Sequence, residues 1–266
     1  MKLNDSAALD SLLSCIHDIK LWLSQNFLNL NEAKTECIIF STAGTPNGPA
    51  LSLGALATYL KPAVRNLGVT FDCNMKFHKQ ISNVVKTSFF QLRLLAKVKN
   101  FLNRHDLEKA IHAFISSRLD YCNALYAGLS QTSISRLQLV QNAAARFLTN
   151  TPRREHITPV LYTLHWLPVC YRIVFKILLF VFNALAPEYL SEMLTLREHN
   201  RSLRSSNQLV LEVPRSRYKR WGEQAFAVLA PKLWNKLPPD IRTITDIGLF
   251  KSKLKTHLFR MAFNML

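Results

Sequence analysis

The amino-acid sequence predicts a predominantly α-helical α+β protein, with its little β-structure mostly near the N-terminus. Apolar residues recur at three- and four-residue steps over most of the 266 residues, which is the spacing of amphipathic helices. Short alternating or β-branched segments at 36–41, 66–72 and 209–213 predict the strands. Glycines and prolines collect between Thr42 and Pro62, which favours turns there. A hydrophobic content of 48% suffices for a substantial core.

The helices follow one another with recognisable boundaries. In chain order the patterns predict helices over 5–25, 76–104, 107–127, 133–148, a short helix from Thr158, 168–185, a piece ending at Leu194, 222–237 and 246–263. Gly128 fits a left-handed cap, and Ser133 and Asp246 fit N-caps. The helix over 107–127 carries an apolar stripe at Ile111, Phe114, Ile115, Leu119, Cys122, Leu125 and Tyr126.

Two further features of these helices affect the core. The helix over 168–185 is apolar nearly all round, which predicts a place at the centre of the core. Pro231, Pro238 and Pro239 are expected to interrupt the helical pattern at the C-terminal end, within 222–237 and directly after it.

The charge distribution predicts a polyanionic partner. Lysine and arginine number 34 against 17 acidic residues, a net charge of +17. Residues 1–40 carry three basic and five acidic side chains, so the remainder carries +19. The excess is densest over 197–221, where six arginines and one lysine face two glutamates, with Tyr218 and Trp221 available for base stacking. The alternative is a surface loop whose arginines pair with local acids.

Cysteine and histidine usage argues against a metal site and against secretion. The five cysteines are widely spaced without a zinc-binding pattern, so we expect reduced, buried thiols and no structural zinc. His156 and His165 are expected to be core histidines rather than ligands. No secretory signal is visible, and the longest apolar run, 177–187, is too short to cross a bilayer. We therefore expect an intracellular protein, cytoplasmic or nuclear, that is not membrane-bound.

Several segments resemble the region that follows the polymerase palm in LINE-type (non-LTR) retrotransposon reverse transcriptases. They are SRLDYCNALYAGL, RLQLVQNAAARFL, HITPVLYTLHWLPV, RIVFKILLFVFNAL, AFAVLAPKLWNKLP and FKSKLKTHLF. Upstream, LNLNEAKTECIIF resembles the family's motif D and NLGVTFD its motif E, so the resemblance covers 28–263. It implies a palm remnant over 1–72, a helical thumb-like domain over 73–186, and a basic C-terminal region over 187–266.

The resemblance also implies residue roles. Lys34 corresponds to the motif D lysine, which acts as a general acid on the departing pyrophosphate or shapes the nucleotide site, although a solvated turn lysine is the alternative. Gly68 either allows close approach of a primer or marks a β-bulge. A thumb grips a duplex through its phosphates, without sequence preference. The predicted nucleic-acid contacts are Lys79, Lys86, Arg93, Lys97, Arg153, Arg154, Arg201, Arg204, Arg215, Arg217, Lys219, Arg220 and Trp221.

Catalysis is not expected. Polymerases of this family hold Mg²⁺ on two palm aspartates, and the sequence contains no adjacent aspartate pair. It also lacks a GxSxG, P-loop or HExxH motif, so we expect no enzyme activity and no cofactor. Two hypotheses follow: a truncated reverse transcriptase that retains non-specific binding to RNA, DNA or hybrid duplex, or a host-adopted or spurious helical protein-interaction module.

Overall fold

The computed structural model describes residues 6–40, 54–182, 187–197, 209–216 and 221–264. These residues are mostly helical and contain one two-stranded antiparallel sheet, which confirms the predicted predominance of helix with a little β-structure. The chain divides into two compact units, Met1–Gln80 and Ile81–Leu266. Helix α2, His78–Val98, begins at the end of the first unit and continues into the second.

The first unit contains one long helix, short 3₁₀ turns and the sheet. Helix α1 spans Ser6–Gln25, and 3₁₀ turns follow at Glu32–Lys34 and Gly54–Tyr59. A small cluster of buried residues consists of Ile39 and Leu56, with partly buried side chains of α1 packed against it. The strand predicted over 36–41 is wrong, because the described part of that segment forms only a single parallel bridge, Cys37 to Leu60.

The sheet is a β-hairpin where a single strand was predicted over 66–72. Strand β1, Ala63–Asn66, pairs with β2, Val69–Asp72, through a two-residue turn. Leu67 and Gly68 both have positive φ, 45° and 85°, as the tight turn that matches strand twist requires. Gly68 is therefore a turn residue rather than a bulge. Asp72 then accepts hydrogen bonds from the amides of Lys76 (2.7 Å) and His78 (3.0 Å), which fixes the start of α2.

The second unit is a helical assembly around α7. Its further helices are α3 Arg104–Ile111, α4 Ser117–Asp120, α5 Gln131–Thr149, α6 Ile157–Thr163, α7 Val169–Val181, α8 Glu188–Ser191, α9 Phe226–Asn235, α10 Pro239–Arg242 and α11 Ile247–Ala262. Helix α7 packs against α5, α9 and α11, and against the 3₁₀ turn Asn123–Tyr126. Its central position confirms the prediction from its apolar surface. The predicted end at Leu185 falls among residues that are not described.

The helix predicted over 107–127 is interrupted twice. A π-helical segment, His112–Ser116, follows α3, and Cys122 adopts a left-handed conformation with φ 50° after α4. Both departures rotate the later residues relative to a regular helix. As a result Ile111, Ile115, Leu119 and Tyr126 of the predicted stripe are buried, whereas Phe114, Cys122 and Leu125 are exposed.

The helix caps agree with the predictions in two of three cases. Gly128 has φ 71°, a left-handed backbone conformation that favours glycine, and it follows the turn as predicted. Asp246 caps α11 by accepting from the amide of Leu249 at 2.6 Å. Ser133, in contrast, lies inside α5. The N-cap is Ser130, which accepts from the amide of Ser133.

The C-terminal part differs from its predicted pattern at two points. The strand predicted over 209–213 is only a single antiparallel bridge between Leu196 and Leu211, and the side chain of Asn235 pairs with both backbone groups of Leu211. Pro231 lies inside α9 without ending it. Val228 and Trp234, on either side of the proline, are both buried, so continuing the helix keeps both in the core.

Residue burial also corrects the reading of the cysteines and histidines. Cys15, Cys122 and Cys170 are exposed and Cys37 and Cys73 half-buried, so the prediction of buried thiols is wrong. His156 and His165 are exposed as well, and His165 stacks on Phe259 at 5.6 Å instead of entering the core. Among the described residues, no helix combines the length and the apolar character that crossing a bilayer requires.

Candidate nucleic-acid interface

Helix α2 carries a row of cations along one exposed face. Lys86, Arg93 and Lys97 are separated by seven and four residues, so they lie within about 40° of one another around the helix. All three are exposed, and none has an ion-pair partner among the described residues. The row is about 16 Å long, from the rise of 1.5 Å per residue. Lys79 is exposed in the first turn of the same helix.

Lys99 comes two residues after this row but has a structural role. Its ammonium donates to the carbonyl of Phe147 (2.6 Å) and to Oδ1 of Asn150 (2.5 Å), and lies 4.4 Å from the centre of the Phe147 ring. These groups form the C-terminal end of α5, where the carbonyls are otherwise unpaired and attract a cation. Lys99 therefore joins the end of α2 to the end of α5.

The two predicted arginines of the elbow between α5 and α6 are exposed. Arg153 and Arg154 lie just after Asn150, the left-handed residue that ends α5. Arg146 shapes this elbow by donating to the carbonyls of Pro152 and Glu155, the latter at 2.6 Å. Lys99 contacts Asn150, so the turn after α2 reaches the end of α5, from which the elbow begins.

The predicted C-terminal contacts are only partly described. Arg215 is exposed and has no partner among the described residues, and Trp221 is half-buried. Arg215 follows Leu211, whose backbone is hydrogen-bonded to the side chain of Asn235 in α9, and Trp221 precedes α9 in the chain. Arg201, Arg204, Arg217, Lys219 and Arg220 lie outside the described residues.

Lys34 is an exposed residue of the 3₁₀ turn Glu32–Lys34. Its amide donates to Oδ1 of Asn31 at 3.2 Å, which caps the turn, and its side chain has no partner among the described residues. Over the same described residues, no group of three or more histidine, cysteine, aspartate or glutamate side chains is placed to hold a metal ion.

The electrostatic balance of the second unit favours anions. Its described residues include 22 lysines and arginines and 10 aspartates and glutamates, an excess of 12 positive charges. Burial lowers the pKa of the His257 imidazole below its ordinary value, and the nearby Asp240 carboxylate only partly opposes this shift. The side chain therefore adds no positive charge at neutral pH. Exposed Lys251, Lys253 and Lys255 of α11 also lack ion-pair partners within the described part of the chain.

Sequence reasoning did not separate structural cations from free ones. Lys99, Arg146 and Arg172 all hold helices together, the last through a bidentate ion pair with Asp120. One signal was present for Lys99: in the helix predicted over 76–104 it follows Lys97 by two residues, a rotation of about 200°, which predicts a place on the side opposite the row. Arg172 pairs with Asp120, 52 residues away, so no local signal identified its partner. Arg146 bonds to carbonyls of the elbow that directly follows α5, and the helix pattern did not predict the path of that elbow.

A comparison of the chain with protein-family models, curated proteins and solved structures finds no match.

Proposed function

We propose that this protein is a catalytically silent remnant of a non-LTR retrotransposon reverse transcriptase that binds nucleic acid without sequence preference. The sequence resemblance supports the origin, with α2 to α7 as the thumb-like part. The observation that carries the binding proposal is the row Lys86, Arg93 and Lys97, exposed and without carboxylate partners among the described residues.

The proposed binding mode follows from the chemistry of this row. Double-stranded DNA presents about one negative charge per 1.7 Å of its axis, so a row of about 16 Å faces several phosphates at once. Lysine and arginine side chains on a rigid helix meet phosphates without reading base edges. Arg153 and Arg154, exposed in the elbow after α5, add two further cations to the same unit. Binding of this kind is insensitive to sequence and falls steeply with salt.

The decisive test is the salt dependence of binding to duplex DNA. Replacing Lys86, Arg93 and Lys97 together by alanine should lower the log–log slope of affinity against salt by about 2 to 3 units, because each lost phosphate contact removes about 0.9. The matched control replaces Lys20 and Lys34 by alanine. Lys20 is already paired with Glu32 at 2.8 Å, so the slope should change little. An unchanged slope in the folded triple variant contradicts the proposal.

The C-terminal cations provide a second arm of the same measurement. Replacing Arg215, Arg217, Lys219 and Arg220 by alanine should lower the slope by as much as about 3 to 4 units if all four contact phosphates. A parental slope in this variant assigns the segment to a solvated surface and leaves α2 as the principal contact.

Polymerase activity is expected to be absent. With the metal-binding aspartates missing, primer, template, nucleotides and Mg²⁺ or Mn²⁺ should give no extension by the isolated chain. Extension above a buffer control contradicts this expectation. The genomic sequence upstream of the first codon tests the proposed origin, since a continuing or decayed frame that encodes paired aspartates identifies a fragment.

The alternative, a helical protein-interaction module, is favoured by one specific observation. Phe90 and Leu94 of α2 lie beside the cation row and are 48% and 39% exposed, and Phe101, in the turn after α2, is 87% exposed. Large apolar side chains in a group mark interaction surfaces. If the triple cation variant keeps the affinity and salt slope of the parent, this apolar surface becomes the better functional candidate.

A further inference from the structure

An aromatic cluster lies in the second unit, where the end of α6 meets the C-terminal part of α11. It consists of Tyr162, His165, Phe259 and Phe263. The rings of Tyr162, His165 and Phe259 are inclined by at most 34° to one another, with centroids 5.4 to 6.5 Å apart. Because the separations are similar, these rings lie beside one another in a layer rather than in a column. The ring of Phe263 stands at 78° to that of Tyr162, 5.5 Å away, and forms a wall beside the layer.

The aromatic cluster is held from below and is partly open to solvent. Phe259 and Phe263 are half-buried, and Phe259 packs against the core formed by α7 and α11. Tyr162 is 42% exposed, and His165 is exposed as well. Large aromatic side chains that are exposed as a group mark a binding surface, since their faces are left without a packing partner.

The backbone at His165 supports a role for its ring. Helix α6 ends with two hydrogen bonds, from the amide of His165 to the carbonyl of Tyr162 and from the amide of Trp166 to the carbonyl of Leu161, both at 2.9 Å. This helix end requires a left-handed residue, usually a glycine, and His165 has φ 54° there. A histidine adopts this conformation at a steric cost that glycine avoids. In return, its imidazole joins the aromatic cluster beside Phe259.

Cations lead along α11 to the aromatic cluster. Lys251, Lys255 and Phe259 follow one another at four-residue steps, so both lysines lie within about 80° of Phe259 around the helix. Both are exposed, and neither has a carboxylate partner among the described residues. Arg260 is exposed three residues before Phe263. The surface beside the rings is therefore positive and favours an anionic ligand over a cationic one.

We propose that the aromatic cluster binds an unpaired base of a single-stranded nucleic acid, whose phosphates contact Lys255 and Arg260. Every base has a flat π-face that can stack on an aromatic side chain, and cations beside the rings follow the backbone of the strand. In a duplex the bases already stack on one another, so only an unpaired base can reach the rings. The proposal rests on the proposed function in that the ligand is a nucleic acid, but it concerns another surface and another form of the strand.

The experiment compares a short single-stranded DNA with an abasic strand of the same length, which keeps the sugar phosphates and lacks the bases. Binding of each labelled strand to the full chain is followed by fluorescence anisotropy. The base-bearing strand should bind at least about five-fold more tightly, because one stacked base contributes a factor of about 5 to 150 in affinity. Phosphate contacts are common to both strands, so the ratio of the two affinities measures stacking.

Substitutions in the aromatic cluster separate stacking from phosphate binding. His165→Gly removes the ring and suits the left-handed backbone, so this variant should stay folded and lower the ratio. Tyr162→Leu keeps apolar bulk without a π-face and should lower it too, whereas Tyr162→Phe should preserve it. The matched control is Tyr189→Leu, because Tyr189 of α8 is 63% exposed and lies outside the aromatic cluster. Replacing Lys255 and Arg260 by glutamine should weaken both strands by the same factor.

Several results would overturn the proposal. Equal affinity of the base-bearing and abasic strands does so, as does a parental ratio in His165→Gly. An equal loss of the ratio in Tyr189→Leu also does so, because the effect would then not belong to the aromatic cluster. His165→Gly keeps the test decisive if Tyr162→Leu fails to fold. The alanine variant of the α2 row should lower the duplex salt slope and leave the ratio unchanged, so failure of duplex binding and failure of stacking are separate results.

Discussion

Helices α1 and α5 have nearly the same length and differ in what their apolar residues contact. Helix α1 has 20 residues and no buried side chain among those described, whereas α5 has 19 residues and eight buried ones. The wider comparison agrees: four buried apolar residues lie in the described part of the first unit and 32 in that of the second. Both helices show the same apolar periodicity. Apolar periodicity therefore predicts that a segment is helical, whereas the stability of the helix depends on whether other elements pack against its apolar side.

The largest expected effect is the difference in unfolding free energy between the same Leu→Ala substitution in α5 and in α1. Leu137→Ala in α5 removes a side chain with 0% exposure and should lower the free energy of unfolding by about 2–5 kcal/mol. Leu21→Ala in α1, the same chemical change at 47% exposure, should cost less than about 1 kcal/mol. Urea unfolding measures both, with the fluorescence of buried Trp166 and Trp234 reporting on the second unit and far-UV circular dichroism reporting on the helices of both units. A similar cost for the two variants indicates that α1 is covered in solution.

The sequence predicted the fold best where the residues that indicate a feature lie in the same helix as the feature itself. The apolar circumference of α7 predicted its central place, and Asp246 predicted the start of α11, because both depend on neighbouring residues along one helix. The hairpin at Leu67 was missed, since a non-glycine residue with positive φ gives no turn signal in sequence.

The candidate sites show the same division. The α2 row follows from a spacing of seven and four residues, and it could be predicted. Pairing of Arg172 with Asp120, 52 residues apart, could not be predicted because tertiary packing alone brings them together. The aromatic cluster was invisible in sequence for the same reason, because Tyr162 of α6 and Phe259 of α11 meet only in the folded chain.

The ion pair between Arg172 and Asp120 gives the second largest effect. Arg172→Met leaves the Asp120 carboxylate without its bidentate partner between α4 and α7. Breaking a well-buried pair is more costly, but the Asp120 side chain is 37% exposed, so a cost of about 1–2 kcal/mol is expected. A double-mutant cycle with Asp120→Asn measures the coupling. Additive effects of the two substitutions contradict the pairing as a source of stability.

Lys99 and Lys97 distinguish a structural cation from a binding one. Lys99→Met removes the hydrogen bonds to Phe147 and Asn150 at the end of α5 and should cost about 1 kcal/mol without changing the salt slope of DNA binding. Lys97→Met should leave stability unchanged and lower the slope by about 0.9. Chemical unfolding and binding titrations on the two variants are the measurements. If Lys99→Met lowers the slope and spares stability, the assigned roles are reversed.

The smallest expected effect belongs to the ion pair of the first unit. Lys20 donates to Glu32 at 2.8 Å, and this contact raises the pKa of the lysine and lowers the pKa of the glutamate, with a further hydrogen bond from Tyr59 lowering the latter. A lowered carboxyl pKa contributes stability above the ordinary pKa of glutamate, and the contribution is lost as the pH falls through the folded value. A raised lysine pKa contributes below its ordinary value and is lost as the pH rises. The pair can therefore stabilise the protein only between the pKa of Glu32 and the pKa of Lys20, a range that includes neutral pH.

Both side chains of this pair are exposed, so solvent and salt screen the attraction. Lys20→Met should accordingly leave the urea midpoint unchanged at pH 7 and 0.15 M salt, in contrast to Arg172→Met. The control repeats the measurement in a Glu32→Gln background, where the carboxylate is absent from both chains and any difference due to the pair disappears. A midpoint that drops with Lys20→Met in the parent but not in the Glu32→Gln background shows that this exposed pair stabilises the first unit, and that surface charge there compensates for its few buried residues.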